Sequence, residues 1–118
     1  MKKHLFALPF VLVMLSSGAA LARPFVYIAS FAHGQKVTQC LDSAEKALAK
    51  YKFTSDIVRD YDPKQSDKVG RVYGSQAESS TKAVVLCDQK EGITSLAVSG
   101  LDIDVTWDLY TKMFDAEW

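Results

Sequence analysis

The stretch TKAVVLCDQKEGITSLAVSG, Thr81 to Gly100, decides how the chain folds. TKAVVLCD and GITSLAVSG are two strand-like runs, and DQKEG between them is a short Gly-containing connection of the kind that closes an antiparallel hairpin. Val84, Val85 and Leu86 follow one another without a polar break, which marks the first run as a central strand. Cys87 stands at the end of that strand, and Cys40 is the only other cysteine.

Cys40 belongs to a different pattern. From Lys36 to Tyr51 the apolar residues Val37, Cys40, Leu41, Ala44, Leu48 and Tyr51 recur at spacings of three and four, one face of an amphipathic helix. Lys36, Asp42, Glu45, Lys46 and Lys50 fall away from that stripe, so Cys40 points inward. A helix cysteine reaches a sheet cysteine only if the helix packs over the sheet. Pairing Cys40 with Cys87 therefore implies a two-layer arrangement.

The other segments fit around this pair. PFVYIASFA, Pro24 to Ala32, is apolar on both alternating faces and reads as a buried strand, broken by His33-Gly34. KFTSDIVRDY reads as a half-buried strand ended by Asp62-Pro63. From there to about Ser80 the chain is rich in Ser, Gly, Gln, Lys and Asp and reads as a long connection, with room for a short strand at Val69 to Tyr73. Connections of that length are often functional. Val69, Arg71 and Tyr73 are accordingly expected on an interaction surface, together with the terminal Trp118.

Between Leu101 and Thr106 strand and helix periodicities compete, but beyond Trp107 only the helical spacing of Ile103, Trp107, Tyr110, Phe114 and Trp118 survives. A helix from about Asp102 to Glu117 follows, with Ser99-x-x-Asp102 as a capping box and most of the aromatic stripe over the core. The expected fold is α+β: a two-layer sandwich with an antiparallel sheet of about four strands and two helices on one face. The expected order is β-α-β-(long loop)-β-β-α.

The N-terminus bears on location. Lys2 and Lys3 precede an apolar run from Leu5 to Leu15 and small residues ending at Ala22, the layout of a secretory signal peptide. The run is shorter than the roughly 20 residues of a spanning helix, so no stable membrane anchor is expected after cleavage. Residues 1–22 are thus read as a signal peptide and 23–118 as a single exported domain, periplasmic or secreted from a bacterium. Removing Lys2 and Lys3 from 14 basic residues, against 14 acidic ones, leaves a net charge of −2. That balance lacks the basic footprint of a nucleic-acid binder. In an oxidising compartment Cys40 and Cys87 are expected to pair.

Asp102-x-Asp104-x-Thr106 resembles the nucleophile motif of haloacid-dehalogenase-type phosphatases, which implies an attacking Asp, an acid–base Asp and magnesium. The resemblance stops at those three residues, and only 12 residues follow Thr106, too few to enclose a water-excluding pocket. Acidic residues in a first helical turn are explained by the helix dipole, with Asp108 and Lys112 as an i, i+4 pair. No metal set is expected, Asp102 and Asp104 being the nearest approach to one. Gly70-x-x-x-Gly74 lacks the Lys-Ser/Thr of a phosphate loop, and no cofactor fingerprint is present. His33, the one histidine outside the leader, must serve any His-dependent mechanism.

These observations favour a non-enzymatic binding module of the cell envelope, with an unidentified protein partner or a second copy of itself. The alternatives are a small hydrolase or metal-dependent enzyme using His33 with Asp102 or Asp104, and a small-ligand carrier with an apolar cavity between sheet and helices.

Overall fold

In the computed structural model, residues 23–118 are described; the expected leader lies outside the described residues. The elements are β1 (Phe25–Ala32), α1 (Val37–Lys50), β2 (Ser55–Tyr61), β3 (Val69–Gln76), β4 (Thr81–Asp88), β5 (Ile93–Gly100) and α2 (Ile103–Phe114). All five strands join one antiparallel sheet in the order β1-β5-β4-β3-β2. From β2 to β5 the chain is a meander of consecutive neighbours; β1 alone pairs across a long sequence gap.

The hairpin of β4 and β5 forms as its sequence dictates. Thr81, Ala83, Val85 and Cys87 alternate inward with Thr94, Leu96 and Val98 of β5, all buried. Gly92 takes a positive φ of 67° in the connection, and the Asp88 carboxylate accepts the Glu91 N–H at 3.0 Å. The side chain of Gln89, also in this connection, accepts the Val37 N–H at 3.0 Å, satisfying a donor in the first turn of α1.

Helix α1 lies over β3 and β4 and buries Val37, Cys40, Leu41, Ala44, Ala47 and Leu48. Its inward cysteine meets the sheet: Cys40 and Cys87 form a disulfide with Cα atoms 6.1 Å apart. Arg59 of β2 reaches up to the outer side of α1, with Nη2 2.9 Å from Asp42 and 3.0 Å from Glu45. Burial pulls the Arg59 guanidinium down, but its hydrogen bonds to Asp42, Tyr61 and Glu45 outweigh that and hold its pKa above the ordinary arginine range.

Three expectations are corrected. The sheet has five strands, because the polar stretch after Asp62 contains the full-length β3. Gly70 and Gly74 alternate inward with Val72 where α1 and the segment before β2 approach closely. A Cβ on Gly70 would strike Leu41, and one on Gly74 the Phe53 backbone, so glycine fills core positions where the sequence shows no apolar side chain.

Secondly, β1 is an edge strand. Phe25, Tyr27, Ala29 and Phe31 face the helices while Val26 and Ile28 lie on the uncovered face, Ile28 being 70% exposed. Thirdly, α2 is shorter than expected, and its cap is Asp102, whose carboxylate accepts the Val105 N–H at 3.0 Å; Ser99 is part of β5. The core face of α2 is Thr106, Leu109 and Met113. At about 100° per residue this face lies roughly 100° around the helix from Ile103, Trp107, Tyr110 and Phe114. Thr106 descends onto Gly100, and the bulkier side chains are left to the flank.

Candidate functional site

The displaced aromatic stripe does not point into empty solvent on all sides. It leans over β1. Tyr27 packs against Trp107 and Tyr110 with ring centroids 5.1 and 5.6 Å apart, and Phe31 against Phe114 and Trp118 at 6.0 and 5.5 Å. Trp107 remains 51% exposed and Phe114 43%, with Ile103 also exposed one turn earlier. Tyr110 and Trp118 sit against the margin of the core. The outcome is an apolar ridge parallel to β1, half inserted and half uncovered.

Beside this ridge runs the free edge of β1. The His33 N–H donates to the Gly92 carbonyl at 2.8 Å, continuing the β1–β5 register. Hydrogen bonding in an antiparallel pair alternates by residue. The odd-numbered residues of β1 therefore bond to β5, and Val26, Ile28, Ser30 and Ala32 turn their N–H and C=O groups outward. Among the described residues no strand pairs with them.

The two edges of the sheet differ. β2 carries a register shift between Ser55 and Val58, a positive φ of 53° at Asp56, and the charged Arg59 and Asp60. Bulges and charges are the usual guards against edge-to-edge pairing. β1 is eight residues long, regular, and without a charge.

The sheet face away from the helices adds a third feature. The registers align Val58, Tyr73, Val84, Ala97 and Ile28 in one row across all five strands. A neighbouring row contains Asp60, Arg71, Leu86, Ser95 and Ser30, in which Arg71 pairs with Asp60 at 2.8 Å, a bond that raises the guanidinium pKa. Val69, Arg71 and Tyr73, expected at an interaction surface, all lie on this uncovered face. Trp118 is placed apart from them, half-buried beside Phe31, with its indole N–H enclosed and without an acceptor.

The residues weighed for catalysis are not brought together. His33 Nδ1 lies 2.9 Å from the Thr94 hydroxyl, which in turn is 3.4 Å from the Cys40 sulfur. Asp102 follows Gly100, the partner of Phe25, whereas His33 is at the opposite end of β1; at about 3.4 Å per residue the separation is on the order of 25 Å. Among the described residues no group of three His, Cys, Asp or Glu side chains is placed to hold a metal ion. A pocket of about 350 Å³ occurs at the β2–β3 end, lined in part by Asp60, Tyr61, Pro63, Arg71 and Leu86, and not between sheet and helices where a carrier would need its cavity. Asp108 and Lys112 do form their i, i+4 pair, at 2.9 Å.

No protein-family model matches the chain, and neither a curated protein nor a solved structure does. The geometry of β1 and α2 is what the functional reading rests on. The sequence pattern puts most of the aromatic stripe over the core and reads β1 as buried; the missing signals are the phase of α2 and the position of β1 at the end of the strand order.

Proposed function

We propose that the protein is an exported, non-enzymatic interaction module of the cell envelope that engages a protein partner through the β1 edge and the α2 ridge. The observation that carries this reading is the coincidence of outward backbone donors and acceptors on Val26, Ile28, Ser30 and Ala32 with uncovered Trp107 and Phe114 alongside. A strand added to such an edge gains main-chain hydrogen bonds, and flanking apolar side chains supply pockets that discriminate between partners. Aromatic residues of this kind dominate the energetics of protein contacts.

Export is supported by the Cys40–Cys87 disulfide in a small domain, which suits an oxidising compartment, and by the signal-like pattern of the first 22 residues. The periplasm or the extracellular medium is the proposed location.

The test is site-directed photocrosslinking in the producing cell. A photoreactive residue replacing Ile28 or Trp107 should yield discrete protein adducts, while the same residue at Lys46, on the outer side of α1, should yield none. Absence of adducts from both positions 28 and 107 overturns the reading.

A further inference from the structure

We infer that the partner at the β1 edge is a second copy of this chain, paired strand to strand about a two-fold axis so that two sheets become one of ten strands. The inference rests on the interaction reading above and adds the identity of the partner.

The argument begins with parity. A symmetric antiparallel pairing joins residues whose numbers have a constant sum. Because only Val26, Ile28, Ser30 and Ala32 present outward N–H and C=O groups, that sum must be even. Centring the axis on Ala29 engages all four of these residues, pairing Val26 with Ala32 and Ile28 with Ser30 of the other copy. Centring it on Ile28 would set Ala32 opposite Pro24, which has no N–H to give, and centring it on Ser30 would set Val26 opposite Gly34, past the end of the strand. The strand is therefore best matched to itself in one register.

The helix face agrees with that register. It sets Tyr27 opposite Phe31 of the second copy in a close, non-hydrogen-bonded pair, the kind in which cross-strand aromatic contacts are strongest. Trp107 sits on Tyr27, and Phe114 on Phe31. The exposed indole of one α2 is thus carried toward the exposed phenyl ring of the other, and no charge stands opposite a like charge on β1. An isologous interface demands this kind of self-complementarity.

Area is consistent as well. Were they wholly covered, the exposed parts of Phe25, Val26, Ile28, Ile103, Trp107 and Phe114 would contribute at most about 600 Å² per chain, taking large side chains at roughly 150–250 Å² each. Adding the backbone of β1 brings this close to the ~800 Å² per partner of a standard stable interface. The guarded β2 edge explains why association stops at two.

The experiment uses the chain expressed from its full coding sequence in an exporting host and purified oxidised. Analytical ultracentrifugation at micromolar concentration should give twice the mass of one chain. Ile28→Pro removes one outward N–H and no bond to β5, and Ile28→Lys guards the edge with a charge; both should shift the particle to the monomer mass with an unchanged circular dichroism spectrum. Trp107→Ala should raise the dimer dissociation constant at least tenfold. Val58→Lys, at the far end of the same row on the uncovered face, should leave the dimer intact. A monomeric wild-type protein, or dissociation by Val58→Lys but not by Ile28→Pro, overturns the inference. If adducts from position 28 in the crosslinking experiment have a heterologous mass, the second copy is excluded while the interaction reading stands.

Discussion

Breaking the bond between Cys40 and Cys87 should cost the domain much of its stability. The crosslink spans 47 positions, for which the chain-entropy relation gives on the order of 4 kcal/mol at room temperature. Both sulfurs are buried, at 2% and 1% residue exposure, and the two thiols formed on reduction would stay as small apolar groups without new solvent contact. The loss therefore falls mainly on the unfolded chain, which regains its freedom. Against a typical total of about 5–15 kcal/mol, the reduced domain would be marginal. At about 4–8 °C per kcal/mol for a domain near 100 residues, the midpoint should fall by roughly 15–30 °C. The assays are thermal melts and urea unfolding of oxidised and fully reduced protein, with thiol titration to verify reduction, alongside the Cys40→Ala/Cys87→Ala variant. Reduction should also raise the denaturant slope, because the released chain exposes more surface. A loss below about 1 kcal/mol with complete reduction would refute the reasoning: the unlinked chain would then already be held compact by other means.

Three further outcomes are expected. Gly100→Ala places a Cβ against the Thr106 hydroxyl and near Thr81, and overpacking should cost about 1–3 kcal/mol in urea unfolding; the cost should shrink in a Thr106→Ala background, a coupling that a double-mutant cycle measures. Asp102→Ala removes the cap on the Val105 N–H and should cost about 1 kcal/mol with reduced helicity by circular dichroism. Arg59→Met leaves Asp42 and Glu45 without their cation, the guanidinium side chain being only 24% exposed; about 1 kcal/mol should be lost at low salt and less at high salt, as thermal melts at two ionic strengths would reveal.

Much of this fold can be read from local pattern, and the reasons for the remainder are specific. The α1 stripe and the β4–β5 hairpin are legible because their apolar residues repeat at a single period and end at clear turn chemistry. The disulfide follows from them. β3 shows in the sequence only as a short candidate at Val69 to Tyr73, because Gly70 and Gly74 occupy core positions by close approach of neighbouring elements, a tertiary fact. The edge position of β1 is equally invisible: FVYIASFA has the composition of a central strand, and the strand order together with a sheet face that neither helix covers exposes Val26 and Ile28. On α2 the period was legible but the phase was not, since Thr106 reaches the core only where Gly100 makes room. The candidate site is assembled from the two elements whose surroundings are non-local, so its residues are legible in the sequence as apolar but not as exposed.

The strand order also sets a schedule. β2 through β5 join neighbours in sequence and can condense as each hairpin is completed, whereas β1 must await β5, to which Phe25 and Gly100 belong as partners from opposite ends of the described chain. Loop closure over such a span is slow. A chain synthesised amino end first presents this apolar strand before the surface that receives it exists. During that interval the apolar side chains of Phe25 to Ala32 have no sheet to join, and docking of this strand is the event that completes the fold.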